Sequence, residues 1–263
     1  MTREVYPNAP LRLVSAEVRY PHAARLLATD AVELLTLRLR PLFPVPESPA
    51  VPIVMTLGRP PMPTPISVTR FISRDRTAAV TVSPQNMVVE TIRYSEYANF
   101  RPVLAACLES LNAVQDAIVG FERVGLRYVN EIRVPGLHDA GEWEHYLAPN
   151  LVAPLSVMNH HPISVMQTVV QTEPVDNVAT LIRYGALRGQ ALLPGGTLNL
   201  PALSPSDPFF LLDIDNSWSS TDSFDEDAMR EAGSIYDRLH APIDALFEAA
   251  ITDRLRDVFR RQR

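Results

Sequence analysis

Alternation and periodicity along the chain divide it into strand-like and helix-like stretches. Residues 11–20 (Leu-Arg-Leu-Val-Ser-Ala-Glu-Val-Arg-Tyr) are rich in β-formers and predict a strand. From Pro21 to about Leu39, the residues Ala24, Leu27, Ala31, Leu34, Leu35, Leu37 and Leu39 recur mostly at helical spacing, so a helix is expected. Strands are expected at about Ser67–Arg74, Ala78–Ser83 and Met87–Arg93, the last two joined across Pro84-Gln-Asn86. A second helix is expected over Tyr94–Val114, with Phe100, Val103, Leu104, Cys107, Leu108 and Leu111 on one face. Phe121–Val134 predicts a strand with Val124, Leu126, Tyr128, Ile132 and Val134 on one face. Its other face carries Arg123, Arg127, Glu131 and Arg133.

Residues 135–160 are less regular. Beyond them, Ile163–Gln171 and Val178–Leu187 predict a hairpin around Pro174-Val-Asp-Asn177. Pro194-Gly-Gly marks a turn, and Phe209–Asp215 a strand. Ser223-Phe-Asp-Glu226 reads as a capping box that opens a long closing helix, with an apolar stripe from Met229 to Phe259. Pro242 is expected to kink that helix or to start a second one in the same register. Between Pro41 and Pro65 stand nine prolines, too few backbone donors for a central strand or a helix. An extended surface connection with one short strand, Val51–Leu57, is expected there, and a proline-reading partner is the alternative use.

These elements predict an α+β protein with antiparallel sheets in two units. Residues 1–134 form a ferredoxin-like unit with a proline-rich insertion at 41–65. Residues 135–263 form an antiparallel sheet plus a long closing helix, a helix-grip-like arrangement. The two are expected to pack as one globular body.

Composition narrows the chemistry. All 24 basic residues are arginine, against 30 acids, for a formal charge of −6. Residues 1–200 balance at 17 of each sign, so the acidic excess lies in the last quarter. A generally basic nucleic-acid binder and an acidic disordered chain are both disfavoured. Schiff-base and phosphate-loop lysine mechanisms are excluded by the missing lysine. The single cysteine, Cys107, lies in an apolar run and is expected to be a buried structural thiol. A polar opening without a signal-peptide core, and no apolar stretch of about 20 residues, predict a cytoplasmic protein with no membrane contact.

Four tripeptides repeat one pattern: Val18-Arg19-Tyr20, Ile92-Arg93-Tyr94, Leu126-Arg127-Tyr128 and Ile182-Arg183-Tyr184. On neighbouring strands, Arg19, Arg93, Arg127 and Arg183 would form a guanidinium row suited to phosphate or carboxylate. The competing reading is ordinary amphipathic strands whose arginines pair with helix carboxylates. The run Asp207–Asp227 holds seven carboxylates and no arginine, and Asp213 and Asp215 share a strand face that suits a divalent metal. The bland alternative there is an acidic helix start that complements the helix dipole. His160-His161 is the only adjacent histidine pair, and His138 and His145 flank Glu142 in no metal-binding spacing. No nucleophile-elbow, dinucleotide, phosphate-loop or zinc-protease motif is present, and no cofactor is expected.

Val5-Tyr-Pro-Asn-Ala-Pro-Leu11, Gly125-Leu-Arg-Tyr-Val-Asn-Glu-Ile132, Leu212-Asp-Ile-Asp215 and Leu239-His-Ala-Pro-Ile-Asp-Ala-Leu-Phe247 occur in that order. In this the chain resembles a sporadically distributed family of uncharacterised bacterial proteins of about 250 residues. The resemblance implies no reaction; the family's patchy distribution is like that of defence or toxin–antitoxin genes. The leading expectation is therefore a non-catalytic cytosolic protein that recognises another protein, one encoded nearby. The alternative is a small anionic-ligand binder or metal-dependent enzyme with a pocket between the sheet and the closing helix. There Arg127, Asn130, Asp213, Asp215 and His240 would converge. Self-assembly is a third expectation, and nucleic acid ranks last.

Overall fold

The computed structural model describes residues 6–47, 68–114, 116–158, 163–189, 198–200 and 207–260. The expected strand Val51–Leu57, the turn at Pro194 and the pair His160-His161 lie outside them. The strands are β1 (Leu11–Arg19), β2 (Val45–Glu47), β3 (Thr69–Ile72), β4 (Ala78–Val82), β5 (Asn86–Thr91), β6 (Arg123–Ile132), β7 (Thr168–Gln171), β8 (Val178–Arg188) and β9 (Pro208–Ser219). The helices are α1 (Thr29–Leu39), α2 (Tyr97–Asn112), α3 (Pro149–Val157), α4 (Glu226–Ala250) and α5 (Asp253–Arg260).

The nine strands form one antiparallel sheet in the order β2-β3-β4-β5-β1-β6-β9-β8-β7, so the protein is α+β. The sheet runs on past residue 134: β6 pairs with β9 over ten positions, from Arg123↔Ser219 to Ile132↔Phe210. One row across the sheet explains where the core sits. Phe71, Val80, Val89, Ala16 and Leu126 are cross-strand neighbours, and all are buried in a single cluster. The same row turns polar at Asn216 of β9 and Thr180 of β8.

The helices cover that apolar face. α1 buries Ala31, Leu35 and Leu39, four residues apart, while Leu37 on its outer side is 67% exposed. It starts later than the pattern suggested, because Ala24–Leu27 is a separate 3-10 turn. α2 buries Phe100, Leu104, Cys107, Leu108 and Leu111. α4 lies across β6 and β9 and buries Ala228, Ala232, Ile235, Tyr236, Leu239 and Ile243. It runs unbroken through Pro242; the break comes at Ile251, ahead of α5.

The capping expectation needs correction. The N-cap of α4 is Asp225, whose side chain accepts from the N–H groups of Asp227 and Ala228, and Ser223 stands outside the helix. A carboxylate two residues nearer the helix satisfies orphan donors of the first turn and faces the positive helix end. A reciprocal capping box does occur, at Asp139 and Glu142, on the 3-10 helix Ala140–His145 within the stretch that looked irregular.

Candidate functional site

The sheet face away from the helices carries a band of charge, placed by alternation on β1, β3, β5, β6, β8 and β9, beside buried apolar pairs such as Leu13–Val129 and Ile72–Ala79. Glu17 on β1 accepts from Arg123 Nη1 at 2.6 Å, and Arg123 Nη2 reaches Asp215 on β9 at 3.0 Å. Gly125 makes this possible. It lies opposite Glu17, and the Arg123 guanidinium passes so close above it that a Cβ there would sit 2.4 Å from Nη1. Arg127 binds Asp213 through two parallel bonds, and Arg183 of β8 joins the same carboxylate at 3.2 Å. Toward the other edge, Arg70 of β3 donates to Thr81 at 2.7 Å and to Glu90 at 3.1 Å, with Glu47 of β2 at 3.6 Å.

These contacts place each expected arginine. Arg19 is half-exposed and pairs with Glu17; Arg93 lies beyond the end of β5, highly exposed, 3.5 Å from Asp75. Carboxylates stand between Arg127 and Arg183, so the face alternates in sign. The partners come from the strands of the sheet, or for Arg93 from the turn between β3 and β4, and not from helices. Asp213 and Asp215 each receive arginine. Among the described residues no three His, Cys, Asp or Glu side chains gather as metal ligands.

Burial sets the electrostatics. Glu90 is buried, and desolvation pushes its carboxyl above the usual range against the opposing pull of Arg70. For Arg127, burial opposes the charged form, but the hydrogen bonds and charge of Asp213 more than offset it, and its pKa is raised.

Asn130 and His240 lie on the opposite, helix-bearing side, so the five residues expected in one pocket do not meet. Asn130 Nδ2 donates to Leu212 O at 3.1 Å, a tie within the sheet. His240 on α4 takes part in a different constellation. Its Nδ1 lies 3.3 Å from Tyr128 Oη, Tyr128 Oη lies 2.8 Å from Tyr94 Oη, and Nε2 lies 3.3 Å from Asp244. The ring of Tyr97 stacks on it at 4.1 Å and donates its hydroxyl to Asp237. Burial and that carboxylate raise the Tyr97 phenol, while Arg101 holds Asp237 low. Tyr94 also lines a cleft of about 100 Å³ with Glu90, Arg93, Asn99 and Phe100.

The chain matches no protein-family model and no curated protein. Its function must be read from geometry.

The remaining feature is the β7–β8 hairpin. It closes through Asp176 and Asn177, both with positive φ, the two-residue turn that fits strand twist. β8 is an interior strand, held by β7 on one side and by eleven register pairs to β9 on the other. Yet every residue from Val178 to Tyr184 is only half-buried. Val169, Val170 and Gln171 of β7 are exposed. The hairpin is thus an arm that is only partly covered: Val178, Ile182 and Tyr184 pack against the margin of the core, while β7 stays largely exposed. At its base, Gly185 admits the Met166 carbonyl to within 2.0 Å of where a Cβ would sit.

The sequence predicts the hairpin but not its exposure, and it does not reveal the Arg70–Glu90 pair, the Arg123 bridge or the tyrosine–histidine chain. The odd-position charges of β6 signalled the charged face. Nothing local signalled which carboxylates would answer them.

Proposed function

We propose that this protein is a non-catalytic protein-interaction module and that the β7–β8 arm is its docking element. One observation carries the reading: an interior strand, β8, leaves Val178, Leu181 and Ile182 half-covered on both faces. An antiparallel sheet can leave one face to water, but apolar surface left partly open on both faces of an interior strand marks an interaction site. The charged face supports the reading from the other side. Its arginines are already engaged by carboxylates, which leaves a polar surface of mixed sign beside the arm and not a free anion site. A cytoplasmic location and a defence or toxin–antitoxin-like setting, with a partner encoded nearby, belong to the same proposal; no described helix is long and apolar enough to cross a membrane.

The two-unit architecture is also part of this reading. The order β6-β1-β5-β4, with α1 after β1 and α2 between β5 and β6, supports a ferredoxin-like first half. The β7-β8-β9 meander followed by α4 supports a helix-grip-like second half.

The test is capture from native lysate with tagged wild-type protein and with a Leu181→Glu, Val169→Glu variant, both confirmed folded by circular dichroism. The wild type retains a partner that the variant loses. Equal capture by both contradicts the proposal.

One observation favours a second reading, a small-ligand binder, with its cleft between β5 and α2 and not under the closing helix. The run Asp244–His240–Tyr128–Tyr94 ends at a residue lining that cleft, about 100 Å³ in volume. Tyr94→Phe protein that binds a screened small anion as tightly as wild type would remove that reading.

A further inference from the structure

The two edges of the sheet are not alike. β2 at one edge contains Pro46, which has no N–H to offer, and Glu47, which is tied to Arg76 at 2.9 Å. β7 at the other edge has neither device. From Ile163 to Thr172 the sequence Ile-Ser-Val-Met-Gln-Thr-Val-Val-Gln-Thr contains no charge and no proline. Four valines in this region face solvent: Val165 at 59%, Val169 at 61%, Val170 at 46% and Val175 at 71% exposure. An edge of this kind is a template for another strand.

We infer that the occupant of the β7 edge is β7 of a second copy of this chain, paired antiparallel about a two-fold axis at Val170. This rests on the proposal that the arm is a docking element, and it names the partner. Three features of the edge select a second copy over any other strand. First, a two-fold axis normal to the sheet keeps helix-bearing face beside helix-bearing face, so residues opposite one another must have the same parity. A centre at Val170 satisfies this and sets Val170 against itself.

Second, the same centre brings Val165 of one copy toward Val175 of the other at each end, because both are five residues from Val170. The exposed valines are thereby matched by their own symmetry mates. A centre one residue away, at Val169, would set Val175 opposite Ile163 and leave Val165 opposite Glu173. Third, the Val170 register places Glu173 opposite Gln167, so no like charges face each other across the new ladder. The chain is acidic overall, yet this one edge is neutral. The result is a single sheet continuous through both copies, with Val169 of one strand opposite Gln171 of the other on the charged face.

The experiment combines mass in solution with directed cross-linking of the full chain. Wild-type protein is expected at twice the chain mass by light scattering, and Val170→Lys protein at the monomer mass with an unchanged circular dichroism spectrum. Val170→Cys protein treated with oxidised glutathione is expected to form a disulfide-linked dimer, because directly opposite antiparallel positions lie about 4.5–5.5 Å apart at Cα, within disulfide reach. The buried Cys107 does not compete. Thr168→Cys protein alone is expected to stay unlinked, and to link when mixed with Thr172→Cys protein. A monomeric wild type overturns the inference; if an arm-dependent partner is still captured from lysate, the interaction reading survives it. A dimer that persists in Val170→Lys protein, or one in which Val170→Cys fails to cross-link, also overturns it. The cross-linking arm stands even if the lysine variant does not fold.

Discussion

Arg127 and Asp213 face each other through two parallel hydrogen bonds, 2.7 Å from Nε to Oδ1 and 2.8 Å from Nη2 to Oδ2. The register sets Asp215, not Asp213, directly opposite Arg127. The arginine therefore reaches diagonally, which leaves Asp215 to Arg123 and lets Arg183 share Asp213. Each carboxylate on this part of the face is answered without any helix taking part.

That sharing predicts an asymmetric response to mutation. The Asp213 side chain is 3% exposed, whereas those of Arg127 and Arg183 are 30% and 36% exposed and can turn to water. Arg127→Ala removes two of the three arginine hydrogen bonds to a buried carboxylate, leaving it to Arg183 alone, and is expected to cost about 1–3 kcal/mol in urea unfolding. Asp213→Ala is expected to cost less, because two half-exposed guanidinium groups are easier to rehydrate. Equal losses would show that the pair is not held as described.

Glu90 predicts a pH effect of unusual sign. Its folded-state pKa is raised by burial, so its contribution to stability is fully present below the ordinary carboxylate range. That contribution is lost as pH rises from about 4.3 through the raised value. Glu90→Gln protein should therefore gain melting temperature relative to wild type as pH rises through that window. A constant difference between the two proteins across pH would refute the assignment.

The cap of α4 gives a paired comparison. Asp225→Ala removes the acceptor for two N–H groups and is expected to cost about 1 kcal/mol. Ser223→Ala, the change that a capping box at Ser223 would have made costly, should be neutral within error in chemical denaturation.

Cys107 is fully buried in α2, and burial pushes its thiol up to about 12. It should resist a maleimide reagent in the native protein and react within the dead time once urea unfolds the chain. Labelling of native protein at the rate of a free thiol would contradict the burial.

Much of the fold was legible because its signals are local. The stripe of α4 and the alternation of β6 fix periodicity residue by residue, and Pro174-Val-Asp-Asn177 announces its hairpin through the two residues that tolerate positive φ. The sharing of charges was not legible, because it depends on register. Arg123 meets Glu17 from 106 positions away and only because Gly125 leaves room. The expected pocket failed for the same reason: Asn130 and Arg127 differ by an odd number of positions, so one strand sends them to opposite faces. His240 was singled out in the sequence, but its partners Tyr94, Tyr97 and Tyr128 come from other elements, and only packing brings them to it.

The most direct test of the arm as the docking element is amide hydrogen exchange, read by mass spectrometry on assembled wild-type protein and on Val170→Lys protein. Slowed exchange over residues 165–175 and 178–184 in the assembled state, with that protection lost in the variant and the amides of α2 unchanged, is the result expected here. Fast exchange of the arm in both proteins, with protection arising elsewhere on the surface, would contradict it.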